Sequence, residues 1–159
     1  MAEQKTNVMR LLEQKKIKYM AHEYPHGDSP VDGITVAKLT GQDPDKVFKT
    51  LVLRGASKTI YVFVIPVAEE LELKKAAKSA GEKSVAMIQV SEITALTGYV
   101  RGGCSPVGMK KPFKTAIDWT AELQETICVS GGKVGLQIEL SPTELAALIG
   151  AEFAELTKE

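Results

Sequence analysis

Residues 47–67 read VFKTLVLRGASKTIYVFVIPV, and this stretch decides the fold. VFKTLVLRG and TIYVFVIPV are apolar runs rich in β-branched and aromatic residues, the types that fit a pleated, half-buried surface. The turn-formers of RGASK separate them, so the segment predicts a β-hairpin. One residue breaks the pattern. Alternation sets Val47, Lys49, Leu51 and Leu53 on one face and Phe48, Thr50 and Val52 on the other. Both faces read as buried, and an ammonium there is costly unless it lines a cleft or meets an anion. The other reading is a strand-end lysine whose stem is covered while its head reaches solvent. On the residues alone the two readings stand equal. A cleft lysine would bind a phosphate or a polarised carbonyl as a compact cation.

Working outward, Val8, Leu11 and Leu12 recur at helical spacing and predict a helix over 6–16. Ile17, Tyr19 and Ala21 alternate like a strand, PHGDSPVDG at 25–33 reads as a loop, and ITVAKLTG reads as a short helix stopped by Gly41. DPDK is a turn or helix start. On the other side, EELELKKAAKSA at 69–80 is made of strong helix formers and is followed by Gly81. VAMI is a short strand, and SEITALTG is a helix starting at Ser91 and ending at Gly98. KTAIDW, TICVS and GLQIEL are further strands. SPTELAALIG is the clearest helix: Ser141 is the cap, Pro142 the first helical residue, Glu144 the partner of a capping box and Gly150 the stop. Six to eight short strands interleave with four or five helices, and both hairpins and crossovers occur. The expectation is one α/β domain over residues 1–159 with a mixed sheet.

The chain has 159 residues, 44% of them hydrophobic and 25% charged, the composition of an ordinary globular domain. No apolar run approaches a membrane span. The N-terminal MAEQKTNVMRLLEQKK lacks an apolar signal core, so a cytoplasmic location is expected. Twenty basic and twenty acidic residues balance, which excludes a whole-protein basic field but not a local patch. Lys110, Lys111 and Lys114 form one cluster, Lys74, Lys75 and Lys78 another. Cys104 and Cys128 are far apart and lack metal-ligand spacing, so free thiols are expected.

Two patterns imitate catalytic motifs. His22-Glu23-Tyr24-Pro25-His26 fits H-E-x-x-H, which binds zinc only when a helix puts both imidazoles on one face. Pro25 would break that helix, and the preceding residues alternate like a strand. Cys104 would need a base to hold its thiolate, and neither of the two histidines lies near it in sequence. It reads as a packing residue, and no metal or cofactor is expected. The loop around it, RGGCSPVGMKKP at 101–112, is more informative, because Gly102, Gly103 and Gly108 can bring backbone amides close to a carbonyl or phosphate oxygen. SGGK at 130–133 offers a second such turn.

VFKTLV, PVAEELELKKAAK, TGYVRGGCSPVGMKKP and ICVSGGKVGLQIEL, in this order and spacing, resemble the YbaK/EbsC family of aminoacyl-tRNA deacylases over residues 6–155. The same fold occurs as the editing domain inserted in bacterial prolyl-tRNA synthetase. The resemblance implies a strongly twisted, barrel-like mixed sheet with flanking helices. It implies removal of cysteine mischarged onto tRNA(Pro), with Cys-tRNA(Cys) as a further substrate. Cysteine and proline are similar in size, so a binding pocket separates them poorly and a second hydrolytic site is the remedy. The family's strand lysine falls on Lys49 and its neighbouring threonine on Thr50. The G-x-x-x-P loop falls on Gly102 to Pro106, bringing Gly103 and Ser105 with it. The serine before the Gly-Gly-Lys turn is Ser130, and a pocket tyrosine is Tyr24. Relatives carry an acidic residue where this chain has Gln137, which keeps hydrogen bonding but loses the charge.

The family mechanism uses no protein nucleophile: the substrate's own thiol attacks its ester, releasing a cyclic thioester and free tRNA. The protein contributes proximity and orientation. Lys49, Gly102 and Gly103 are then the catalytic group, with Gly102 and Gly103 amides on the aminoacyl carbonyl. Tyr24, Thr50, Ser105, Pro106, Ser130 and Gln137 shape the pocket. Lys110, Lys111 and Lys114 are expected on acceptor-stem phosphates. Zero net charge implies weak tRNA affinity, and so prolyl-tRNA synthetase as the partner that holds the tRNA; a monomer or weak dimer is expected. The competing readings are a deacylase of the same fold acting on alanine or another small residue, and a non-catalytic tRNA- or partner-binding module.

Overall fold

The Thr6 hydroxyl opens the first helix by accepting the Met9 amide at 3.3 Å, and it donates to the Gly131 carbonyl at 2.7 Å. One side chain thus caps α1 (Asn7–Gln14) and ties it to the SGGK turn. The computed structural model describes residues 5–27 and 31–159. The loop expected over 25–33 lies partly outside these.

After α1 come β1 (Tyr19–Glu23), α2 (Gly33–Thr40), β2 (Phe48–Gly55), β3 (Ile60–Pro66), α3 (Leu73–Ala80), β4 (Val85–Met87) and α4 (Ile93–Thr97). The chain continues through β5 (Lys114–Asp118), β6 (Ile127–Ser130), β7 (Leu136–Leu140), α5 (Pro142–Ile149) and β8 (Glu152–Ala154). The hairpin forms as expected, with β2 and β3 antiparallel and Lys49 opposite Ile65. Ser141 caps α5, and Gly150 ends it in the left-handed conformation.

The strands form two sheets, in the orders β1-β7-β6 and β4-β2-β3-β5-β8. The first is antiparallel, while the second is mixed because β5 runs parallel to β3 and to β8. The barrel-like sheet expected from the resemblance is not closed. β2 spends its later residues, Leu53 to Gly55, on β4, and the one bridge toward β6 among the described residues is made by Val47, just before β2, to Cys128 in parallel.

Packing explains why the sheets meet there. Phe48, Val62, Val64 and Ile117 from one sheet interdigitate with Ile127, Val129, Ile138 and Leu140 from the other, sealed by Val8 and Leu12 of α1 and Leu145 of α5. Losing one such large side chain typically costs about 3–5 kcal/mol. On the opposite face of β2 and β3, Leu53, Tyr61, Phe63 and Ile65 pack on Ala76, Ala77 and Ala80 of α3. Val47, Cys128, Val67 and Ala37 fill the seam between the sheets.

Three local expectations change. The helix expected over 69–80 begins only at Leu73, because the C-terminal segment takes the preceding backbone: the Glu72 amide donates to the Leu156 carbonyl and Leu71 bridges Thr157. SEITALTG enters through a tight turn at Val90–Glu92 with Gln89 at its cap, so Ser91 lies inside the turn. The short β8 carried no legible pattern. Among the described residues no helix is long and apolar enough to cross a membrane.

Candidate active site

In antiparallel sheets, directly opposed residues point to the same side. β1 sets His22 opposite Gln137, and β6 sets Ser130 opposite the same Gln137. The Tyr24 amide donates to the Gly135 carbonyl at 2.9 Å, which extends β1 by one residue and leaves Tyr24 on the His22 face. The Val47–Cys128 bridge brings the start of β2 alongside β6, with Lys49 on the side of its strand that Val47 faces and Ser130 on the side that Cys128 faces. Tyr24, Gln137 and Ser130 therefore share one face of the β1-β7-β6 sheet, and Lys49 projects to the same side from β2, at the seam where the second sheet meets it. Thr50 falls on the opposite face of β2 and does not join the row.

Two features of the row point to a missing partner. Gln137 is only 8% exposed and its Oε1 accepts no hydrogen bond among the described residues. A buried acceptor left unpaired costs about 1–3 kcal/mol. Lys49 is half-buried, and burial lowers the pKa of its ammonium while the charge of Glu70 opposes that drop. Desolvation and charge here suit a group that binds a ligand's negative or polarised oxygen.

The glycine loop lies against the SGGK turn. Gly103 is buried, and a Cβ on it would fall 2.8 Å from the Lys133 Cα. Gly102 is exposed, with φ of 84°, a region that glycine alone enters freely. The pair of amides expected as donors is reduced to one: the Gly103 N–H is donated to the Val100 carbonyl at 3.0 Å. Ser130 Oγ accepts the Gly132 amide at 3.2 Å and so shapes the turn it precedes. Ser105 is fully buried and its Oγ accepts the Val107 amide at 3.2 Å, which commits the hydroxyl to folding the loop. Pro106, also buried, faces a cleft with Leu11, Val107 and Phe113.

The three lysines expected on tRNA have different immediate surroundings. Lys110 lies along Gly98, with Nζ 3.5 Å from the Ala95 carbonyl. Lys111 borders the cleft beside Pro106, and Lys114 lines a separate crevice with Tyr61, Ser79 and Glu152.

Both imitation motifs resolve. His22 lies on β1 and His26 in the following loop, so no helix joins them. Burial raises the Cys104 pKa to about 11 despite a hydrogen bond with Thr97, which leaves a protonated thiol.

The sequence reading missed a charge cluster one step from the row. Glu139 accepts from Lys46 Nζ at 2.7 Å and from Thr126, and it meets His22 Nε2 at 2.7 Å. Burial by itself would raise the Glu139 pKa, but these three hydrogen bonds outweigh it and hold the carboxyl at about 2. His22, Cys128 and Glu139 each offer a ligand atom within 4.8 Å of the others. The Lys46 ammonium already serves that carboxylate as a cation. The signal was present in GLQIEL, where Glu139 alternates with core residues as Lys49 does in its strand.

Residues 30–148 match the model of the aminoacyl-tRNA editing domain. The chain is 44% identical over 155 residues to EbsC of Enterococcus faecalis, provisionally named a Cys-tRNA(Pro)/Cys-tRNA(Cys) deacylase, covering 98% of this chain and 94% of that one. A solved structure provisionally described as a trans-editing enzyme for prolyl tRNA synthetase superposes with a TM-score of 0.82 at 26% identity, covering 98% of this chain and 100% of that chain. A hypothetical protein of known structure shares the fold alone, with a TM-score of 0.85 at 23% identity over 96% of this chain and 100% of that one.

Proposed function

The chain belongs to the aminoacyl-tRNA editing domain family, and from that premise we propose that Lys49 and the row beside it hold the charged end of tRNA(Pro) for removal of cysteine. The activity is deacylation of aminoacyl-tRNA, a step of translational fidelity. Cys-tRNA(Cys) is the second substrate of this reading, since the Enterococcus relative carries both in its name.

In the chemistry we propose, the cysteine sulfur of the substrate attacks the ester carbonyl carbon. A carbon–sulfur bond forms and the bond to the ribose oxygen breaks. The thiol proton ends on that oxygen, and a cyclic thioester leaves. No protein nucleophile takes part, in keeping with a Cys104 thiol held protonated by burial. The protein aligns two groups of one molecule, an arrangement that contributes up to about 7–11 kcal/mol in favourable cases. Lys49 steadies the developing negative charge, the Gly102 amide donates to the aminoacyl carbonyl, and Tyr24 and Ser130 bound the aminoacyl group. Gln137 Oε1 accepts from the substrate's α-ammonium. A neutral glutamine does this without the charge an acidic residue would add.

The observation that supports the reading is the buried Gln137 acceptor without a donor, on the face it shares with half-buried Lys49. Prolyl-tRNA synthetase is the partner we infer, because zero net charge gives little grip on a tRNA backbone. The test is release of amino acid from Cys-tRNA(Pro) and from Ala-tRNA(Pro), each with and without that synthetase. Deacylation of Cys-tRNA(Pro) alone is expected, faster with the synthetase; equal deacylation of Ala-tRNA(Pro) would overturn the thiol mechanism.

A further inference from the structure

His22, Cys128 and Glu139 bring together three different donor atoms that the deacylation chemistry does not use. β6 sets Cys128 directly opposite Glu139, and β1 sets His22 opposite Gln137, one alternate position from Glu139 on the same face. Opposed residues point to the same side, and diagonal neighbours are within reach of long side chains. The register thus gathers an imidazole nitrogen, a thiol sulfur and a carboxylate oxygen, each within 4.8 Å of the others. The two oxygens of Glu139 have separate duties. Oε2 accepts from Lys46 and Thr126, while Oε1 meets His22 Nε2 at 2.7 Å. The Lys46 ammonium therefore balances one oxygen and leaves the other turned to the imidazole. Cys128 is fully buried, but His22 and Glu139 keep part of their surface. Glu139 and Thr126 also border a cavity of about 710 Å³ that Tyr19 and Met20 of β1 help to line, which gives the cluster a path from solvent.

We propose that this cluster is a binding site for a zinc-class divalent cation, held by His22 Nε2, Cys128 Sγ and Glu139 Oε1. The inference goes beyond the deacylase reading and does not depend on it. Zinc takes nitrogen, sulfur and carboxylate ligands together, at about 2.0–2.3 Å. A modest closure of donors already within 4.8 Å of one another accommodates it. Magnesium and calcium ask for an all-oxygen shell, which this set does not supply. On binding, the cation takes the place of the proton between His22 and Glu139, the imidazole carries its own proton on Nδ1, and the Cys128 thiol proton passes to solvent. Burial pushes that thiol up to about 12, so the coordinating metal is what removes its proton. Thiolate and carboxylate then match the double charge of the cation. Lys46 and Thr126, bonded to the other carboxylate oxygen, orient the ligand from behind. Three protein ligands leave a fourth position for water. The cation staples β1, β6 and β7 across the face that also carries Gln137 and Ser130.

The probe is Co²⁺ added to the full chain, because a cobalt–thiolate bond gives a charge-transfer band in the near-ultraviolet. The parent protein is expected to show the band and to lose it when Zn²⁺ is added. It is also expected to melt higher with Zn²⁺ and not with Mg²⁺, since a ligand that binds the folded state stabilises it. Cys104→Ala is expected to keep the band, because Cys104 lies outside the cluster. Cys128→Ala is expected to abolish it. Where that buried substitution prevents folding, His22→Ala reads the same site from the edge strand, outside the core clusters. Its cobalt affinity is expected to fall by more than the roughly 10–100-fold that loss of an outer-shell partner costs. No band in the parent overturns the proposal, as does a band that survives Cys128→Ala or an affinity that falls less than about tenfold in His22→Ala.

Discussion

Gly103 and Lys133 touch through backbone: a Cβ on Gly103 would lie 2.8 Å from the Lys133 Cα and 2.9 Å from the Val134 nitrogen. Two glycine loops far apart in sequence thus share one wall, with no room for a methyl group between them. Gly103→Ala is expected to lower stability by about 1–3 kcal/mol, the usual effect of overpacking. Urea denaturation measures it. An alanine variant as stable as the parent would mean that the loops separate freely.

Lys49→Met separates charge from packing, because methionine keeps most of the stem. Deacylation is expected to fall by about 10²–10³, as when one preorganised donor is removed from a developing charge. Stability is expected to hold or rise, since burial disfavours the Lys49 ammonium in the fold and no ion pair is lost. Single-turnover kinetics beside a denaturant titration reads both. Loss of fold together with activity would make Lys49 a structural residue.

Cys104→Ala is expected to retain deacylation within about twofold, because a thiol with its pKa near 11 is a weak nucleophile at neutral pH. Slow alkylation of the parent protein by iodoacetamide at pH 7 is the companion measurement. A folded variant without activity would restore Cys104 as the attacking group.

Glu139 predicts a defined acid sensitivity. Its folded pKa of about 2 lies below the ordinary 4.5, so the stability it contributes is present above pH 4.5 and is lost as pH falls toward 2. The contribution is on the order of 3 kcal/mol at neutral pH, at about 1.4 kcal/mol for each tenfold change in proton affinity. Glu139→Gln is expected to be less stable at pH 7 and to flatten the profile between pH 4.5 and 2. Thermal melts across that range decide it.

The sequence made the local elements legible where one segment carries its own instructions. VFKTLVLRG and TIYVFVIPV pair as their composition asks, and Ser141 caps α5 as its spacing asks. Failures came where distant chain intervenes. Leu156 and Thr157 hold the residues before Leu73 out of the helix their propensities favour. The split into two sheets turns on how far β2 stays beside β6, which alternation does not encode. For the site, Lys49 was conspicuous because a charge sits in an apolar strand. Thr50 was not separable from it by adjacency, although strand alternation puts the two on opposite faces. The engagement of the Gly103 amide by Val100, and of Ser105 by Val107, depends on turn geometry that the letters leave open.

The sheet order β1-β7-β6 has a consequence for biosynthesis. The chain emerges N-terminus first, and β1 cannot pair in this sheet until β7, more than a hundred residues later, is available. Until then Tyr24 has no Gly135 to fix it, Ser130 has no neighbour at Gln137, and Lys49 faces no row. The site is thus all-or-none in chain length, and a nascent or prematurely ended chain lacking β7 would expose Lys49 without any capacity to discriminate a charged tRNA.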